Sequence, residues 1–488
     1  MLEDKKFLLK GTVINALGLI AKLLGPVLVV LMARLFSQVE FGLFMSIQYF
    51  TMTLSRVAVL GLDKGLIWYL PYQKKEWHAK PFAKKNQYIG VIESLRMAGV
   101  LAVLLTLICF IFLSLGGLAL FPNLKEIDPI SFLVCIFSTI PLTVLHVCAG
   151  AMEGVRHPEY KVVINQFLVA ILGPLLSICF HYIGMGFLSM FMGFTIGNLL
   201  GAFLFWFLIR KYFSLTINPL SRKVPQRLLA YSLPLGVSEI ANGLLLRADL
   251  WMILILLGPK EAAIYSVMLI LVNALKTVRQ GFDPLIVPVV SEMDQKKIQT
   301  ELPTVFSYAT NMVSTIQTGI ALFILLFPGE ILNLAGKSYA VEFQALAILI
   351  VGNVISGFFD LNGMVLLGLG KSKVSLVFTV GALLANIVVN YFLINHYGIS
   401  GAAIGTVLVL ILQNVAFLVV QYRRTRTNPY QKNLLYNSTF VILLVGVIIM
   451  YYDTLSILEL YQRVQFFVVS ILLFLGFIWL NRSSYRVN

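Results

Sequence analysis

Runs of about 20 apolar residues, the length a helix needs to cross a bilayer, recur from one end of this chain to the other. Nothing in the hydrocarbon core can satisfy a free backbone N–H or C=O. Spanning segments are therefore helices or closed barrels, and uninterrupted runs without a two-residue alternation specify helices. The chain reads as an all-α, polytopic membrane protein. Only 12% of its 488 residues are charged while 59% are hydrophobic. That is about half the ~25% charged fraction of soluble domains, so most of this sequence has no stable place in water.

Fourteen spans are expected, near 12–33, 41–63, 89–113, 129–151, 161–181, 187–209, 229–257, 263–290, 303–327, 343–368, 373–394, 399–421, 434–452 and 463–481. An even number puts both termini on one side. With the N-terminus inside, the inner segments hold 26 of the 37 lysines and arginines. The outer ones hold five, Arg34, Lys125, Lys260, Lys337 and Arg463, so the positive-inside rule places both termini in the cytoplasm. The same distribution accounts for the net charge of +15 without a nucleic-acid partner, because the cations lie in short inner loops and form no basic domain. MLEDKKFLLK resembles the start of a signal peptide, but the apolar run after it carries Lys22 and lacks a small-residue cleavage site, which predicts a retained first helix. Cys109, Cys135, Cys148 and Cys179 lie in apolar runs with no paired spacing and read as buried small hydrophobes.

A weak internal repeat organises the spans. ARLFSQVEFGLF at 33–44 matches ILLGPKEAAIY at 255–265, aligning Glu40 with Glu261, Gly42 with Ala263 and Phe44 with Tyr265. HYIGMGF at 181–187 matches HYGISGA at 396–402. Spans 1–6 and 7–12 thus read as two six-helix bundles, 1–209 and 229–421, joined by a cytoplasmic linker at 210–228. Residues 422–488 add two further helices and a cytoplasmic tail. Two copies of even helix number share one orientation, and a substrate site is expected between them.

Six cations fall inside spans: Lys22, Arg56, Arg96, Arg247, Lys276 and Arg279. Left uncompensated in lipid, they would cost roughly 15–20 kcal/mol. Their spacing shows polar faces turned from lipid. Asn15, Gly18 and Lys22 share a stripe, Arg56 and Asp63 are seven apart, and Glu239, Asn242 and Asp249 align with Arg247 beside them. Ser266, Asn273, Lys276, Gln280 and Asp283 hold one face with Arg279 next to it, and Asn353, Ser356 and Asp360 another. Spans 1 and 2 correspond to spans 7 and 8 in the repeat, so both copies carry cations on matched helices. A central cationic cavity and an anionic substrate follow. Three of these groups also have plainer readings. Arg247 and Asp249 could form an ion pair between helices, Glu93 with Arg96 could form one at the interface, and Lys64 beside Asp63 could snorkel from a helix end.

Motifs for other chemistry fail. GLGKSK at 368–373 has Val365 where a phosphate loop requires glycine, and no strand precedes it. The histidines show no metal spacing, GxSxG is absent, and no cofactor or metal is expected.

Three stretches carry a family resemblance: GTVINALGLIAKLLGPVLVVLMARLFSQVEFGLF, AYSLPLGVSEIANGLLLRADLWMILILLGPKEAAIYSVMLIL and GLGKSKVSLVFTVGALLANIVVNYFLINHYGISGAAIGT. They resemble polysaccharide transporters, the lipid-linked oligosaccharide (O-antigen type) flippases of the multidrug/oligosaccharidyl-lipid/polysaccharide (MOP) superfamily. The resemblance implies a non-enzymatic flippase of the bacterial inner membrane, with two six-helix bundles around a cationic cavity. An undecaprenyl-pyrophosphate-linked glycan would move to the periplasmic leaflet by alternating access. Lys22, Arg56, Arg247, Lys276 and Arg279 are the expected pyrophosphate ligands. A proton or sodium gradient would give direction through Asp249, Asp283, Asp360 or Glu239, with Asp249 alternatively orienting Arg247. Membrane lipids and polysaccharide polymerase machinery are the expected partners, and the last two helices would form a groove for the lipid tail. Alternatives are a lipid II flippase, a multidrug exporter, which the cation excess disfavours, and a glycan polymerase or ligase, for which the outer loops are too short.

Overall fold

A computed structural model describes residues 24–78, 90–125, 127–155, 157–213, 224–280, 282, 286, 289–291, 293, 295–426, 432–450 and 460–480. The described residues are helical with no strand, and the chain divides into two compact units, residues 1–263 and 264–488. Nine helices among them are long and apolar enough to cross a membrane, and a bent pair makes a tenth. Each predicted span coincides with a helix. The first, thirteenth and fourteenth do so only over apolar helices of 10–17 residues, so fourteen crossings stays the expectation of the sequence.

In the first unit, α1 (Leu24–Ala33) leads to α2 (Gln38–Val59) and α3 (Leu62–His78). A capping box starts α2: the Ser37 hydroxyl accepts from the Glu40 N–H (3.2 Å) and the Glu40 carboxylate accepts from the Ser37 N–H (3.0 Å). Leu60 and Gly61, both with positive φ, then turn the chain through 42° into α3. Four spans follow, α4 (Val91–Ser114), α5 (Pro129–Gly154), α6 (Glu159–Met185) and α7 (Leu188–Tyr212). A broken helix comes next, α8 (Gln226–Leu245) and α9 (Ala248–Leu256).

The α8–α9 segment packs antiparallel along α2–α3. Trp251 Nε1 donates to Ser46 O (3.2 Å), and further along Trp68 stacks on Tyr231. Small residues set the approach. A Cβ on Gly61 would lie 2.5 Å from both Gly236 N and Ser232 O, and one on Gly236 would lie 2.4 Å from the Leu60 carbonyl carbon. Ser232 and Gly236, four apart, thus form a small-residue seam of the kind that lets membrane helices touch backbone to backbone. Gly236→Val should therefore cost about 3 kcal/mol, the upper end for overpacking. Thermal unfolding in detergent checks this, with Gly243→Ala, where an added Cβ meets nothing within 4 Å, as the unaffected control.

Helix α10 (Pro259–Gln280) begins as α2 does, with Glu261 third from its start and Gly258 (φ +128°) before it. The Glu40–Glu261 match is thus helix-start chemistry, an acid set against the positive end of the helix dipole. Its first turn rests on α2, where a Cβ on Gly42 would overlap the Pro259 carbonyl oxygen at 1.8 Å.

The second unit takes the rest of α10, from Ile264 on, and adds α11 (Leu302–Leu326), α12 (Phe343–Gly368), α13 (Ser372–Thr425), α14 (Lys432–Met450) and α15 (Leu460–Leu480). Helix α13 is two spans folded at Gly398 (φ +59°, ψ −136°). Asn390 reaches Thr406 (3.4 Å) and Gln413 reaches Thr379 (3.3 Å) across this hairpin. Both appended helices pack on α11. Asn437 of α14 donates to Asn311 (2.9 Å), and Arg463 of α15 makes a bidentate pair with Glu330 (2.6 and 3.1 Å) just after α11.

The compact units divide between Ala263 and Ile264, so α8 and α9, which pack on α2 and α3, belong to the first unit.

Candidate substrate and coupling residues

The intramembrane charges gather where helices break. A break frees backbone carbonyls and amides that need water, ions or protein partners, and discontinuous helices of this kind build the binding sites of many transporters.

Arg56 ends α2 and Asp63 begins α3. Arg56 Nη1 stands 3.2 Å from Asp63 Oδ2, spanning the Leu60–Gly61 bend. The Leu60 N–H donates to Arg56 O (3.2 Å), closing the helix end. The backbone at Asp63 is pressed against α5, since a Cβ on Gly150 would lie 2.3 Å from Asp63 O. On α5, His146 lies within the field of Arg56, Lys64 and Lys161. Sequence spacing anticipated the Arg56–Asp63 pair, but nothing in it pointed to His146.

Arg247 occupies the break between α8 and α9, with φ −135° and ψ −8°. Its guanidinium carbon lies 3.8 Å from the centre of the Tyr49 ring. Among the described residues it makes no ion pair with Asp249. That aspartate is 2% exposed, and its Oδ1 accepts the Leu250 N–H (2.8 Å) at the start of α9. The inter-helix Arg247–Asp249 pair allowed by the sequence does not form. A guanidinium held over an aromatic face by its charge does not use up its N–H donors, which remain able to bind a planar or tetrahedral anion. Tyr49 carried no signal in the sequence beyond its place on α2.

The second unit holds a third group. Arg279 ends α10, and its Nε lies 3.3 Å from Asp360 Oδ2. Asp360 sits in the turn that divides α12. Its Oδ1 accepts from Ser356 Oγ (2.7 Å) and from Asn414 Nδ2, and Asn414 also donates to Ser356 Oγ (2.8 Å). The structure therefore joins two candidates assigned to separate roles, a pyrophosphate ligand and a coupling carboxylate. Asn414 was missed because the contact spans 54 residues. Lys276 is half-buried one turn before Arg279, and the neighbouring Leu275 carbonyl accepts from Gln317 Nε2 (3.0 Å).

Glu239 is half-buried on α8, six residues before that helix ends at Leu245. Lys22 and Asp283 lie outside the described residues. Among the described residues no group of three or more His, Cys, Asp or Glu side chains is placed to hold a metal ion.

Solved structures share the fold. An inward-facing multidrug resistance MATE family transporter of the MOP superfamily matches with TM-score 0.65 and 16% identity, over 83% of this chain and 94% of its own. The lipid II flippase MurJ, in an inward closed conformation, matches with TM-score 0.63 and 13% identity, over 98% of this chain and 99% of its own. A MOP superfamily transporter from Pyrococcus furiosus, described as having a binding pocket of reversed polarity that suggests a different function, matches with TM-score 0.62 and 15% identity, over 86% and 96%. No curated protein matches the sequence. A family model described as polysaccharide biosynthesis protein covers residues 8–279, more than half of the chain. With that match and the fold of MOP transporters, this multi-pass membrane protein belongs to the polysaccharide biosynthesis protein family.

Proposed function

We propose that this protein flips an undecaprenyl-pyrophosphate-linked oligosaccharide from the cytoplasmic to the periplasmic leaflet of the bacterial inner membrane, with both termini in the cytoplasm. One observation carries the reading: Arg247 stands in a helix break, stacked on Tyr49, with its donor edge available and no carboxylate paired to it among the described residues. A pyrophosphate is the group in such a substrate that this edge fits. Arg56 and Arg279 already have Asp63 and Asp360, so they act as secondary ligands whose pairs must loosen before they reach an anion. Lys276 and Lys22 add positive charge.

For coupling, Asp360 is the strongest of the four candidates. A proton or sodium ion binding there competes with Arg279, which converts ion occupancy into a change in the cations offered to substrate. Asp249, Glu239 and Asp283 are the lesser ones. A lipid II flippase is the second reading, favoured by the 98% of this chain that the lipid II flippase structure covers, appended helices included.

Flipping of fluorescent lipids in proteoliposomes tests both. An undecaprenyl-pyrophosphate disaccharide should cross at least tenfold faster than a neutral undecaprenyl glycoside without the pyrophosphate. Equal rates for the two would overturn anion selection. Faster flipping of lipid II than of the disaccharide lipid would favour the second reading.

A further inference from the structure

One arginine of α7 departs from the usual behaviour of a charge at the end of a membrane helix. Gly201, Phe205 and Ile209 are buried and set one face of α7 against its neighbours, and the Tyr212 hydroxyl meets that of Tyr160 on α6 at 2.8 Å. The other face is an exposed stripe at helical spacing, in which Leu199, Phe203 (65% exposed) and Phe207 (66% exposed) lead to Arg210. Arg210 is itself exposed, and its guanidinium carbon stands 5.2 Å from the centre of the Trp206 ring.

A lysine or arginine at a helix end ordinarily snorkels, reaching out of the bilayer toward water. Arg210 does the reverse. Trp206 lies one turn deeper in the span, so the contact draws the guanidinium back along the apolar stripe. Among the described residues Arg210 makes no ion pair and no hydrogen bond, and the field of an indole face answers only part of a full positive charge. Lys211, the next residue, is exposed as well. The matching span of the second unit, the last half of α13, shows the ordinary arrangement. Its exposed Leu412, Val415, Val419 and Tyr422 also run out into Arg423 and Arg424, but Val419 and Val420 stand one turn before those arginines, and among the described residues no ring holds either one.

We infer that the Trp206–Arg210 pair is a headgroup site for an anionic glycerophospholipid, in the leaflet at that end of α7, which is the cytoplasmic one in the proposed topology. A cation kept beside an apolar stripe at that level has an abundant partner in the lipid phosphate. The guanidinium offers it a planar donor fork, Lys211 adds charge, and Leu199, Phe203 and Phe207 lie where the acyl chains run. A zwitterionic lipid brings the same phosphate with an ammonium attached, which is repelled by two neighbouring cations, so the site selects a headgroup of the phosphatidylglycerol kind. It uses none of Arg56, Arg247 and Arg279 and does not depend on what the protein carries.

Full-length protein in nanodiscs of one fixed mixture of phosphatidylglycerol and phosphatidylcholine gives the test. Brominated acyl chains, which quench tryptophan on contact, are placed on the anionic lipid in one preparation and on an equal mole fraction of the zwitterionic lipid in the other. Reading each protein against its Trp206→Phe counterpart isolates Trp206 from the other four tryptophans. In wild type, Trp206 quenching should report about fivefold enrichment of the anionic lipid, the preference expected of one cation at an anionic surface. Arg210→Gln should abolish the preference at an unchanged melting temperature and leave the quenching itself, since the stripe still faces lipid. Arg210→Lys should keep a reduced preference, and Arg423→Gln the full one. Equal quenching by the two lipids in wild type would overturn the site and leave Trp206 an ordinary interfacial anchor. So would a preference that survives Arg210→Gln, which would belong to the general positive charge of that surface.

Discussion

Replacing Arg247 with alanine should slow flipping of a pyrophosphate-linked lipid by roughly 10- to 100-fold. A charge-assisted hydrogen bond contributes about 1.5–3 kcal/mol, and the net loss of one such bond gives a change of this size. The protein itself should stay folded, because Arg247 is held by the Tyr49 ring and not by a carboxylate that its removal would strand. Arg247→Lys should fall between the two, since a lysine keeps the charge and loses the planar fork. Tyr49→Phe should flip nearly as wild type, as the ring face does the holding. Tyr49→Ala should raise the apparent KM several-fold with a smaller change in kcat, because an unstacked guanidinium must be ordered by the substrate. Proteoliposome flipping rates, beside melting temperatures for each variant, give all of these. Wild-type rates from Arg247→Ala would assign the residue to the helix break alone.

The largest stability change should come from Asp360→Ala. Removing one partner of a buried ion pair costs about 3–5 kcal/mol. With both side chains about one-fifth exposed, the lower end applies, roughly 3 kcal/mol. Asp360 also gathers Ser356 and Asn414, so the alanine leaves three polar neighbours to find water. Asp360→Asn keeps the shape and much of the hydrogen bonding and should lose less. The double change Arg279→Met with Asp360→Leu should recover part of the loss, the mark of a coupled pair. Melting in detergent ranks the variants. If Asp360 also carries the coupling ion, Asp360→Asn should flip at a rate that no longer responds to a proton or sodium gradient. A gradient response equal to wild type would remove Asp360 from coupling.

The helices and the intramembrane cations were legible because lipid leaves so little choice. A 20-residue apolar run must be a helix, and a charge inside it must find water or a partner. Local pairs were legible for the same reason: Arg56 and Asp63, seven apart, could be seen on one face, and the chain then bends between them. Partners brought from other helices were not. Tyr49 under Arg247, Asn414 on Asp360 and Gly236 against Gly61 depend on which helices touch, and periodicity within one helix carries no record of that. Of the breaks, Gly398 falls between two expected spans, whereas those at Leu60–Gly61, Arg247 and Asp360 fall inside runs that read as continuous spans.

The two arginine–aspartate pairs set different schedules for entry into the membrane. Arg56 meets its aspartate seven residues later, so that segment leaves the translocon with its charge already answered. Arg279 and Asp360 are roughly 80 residues apart. At about 5–20 residues per second, that is some 4 to 16 s of synthesis between them. The Arg56–Asp63 contact can close while its own segment is being made, whereas the contact that ties the end of α10 to the turn in α12 closes only once α12 has been synthesised.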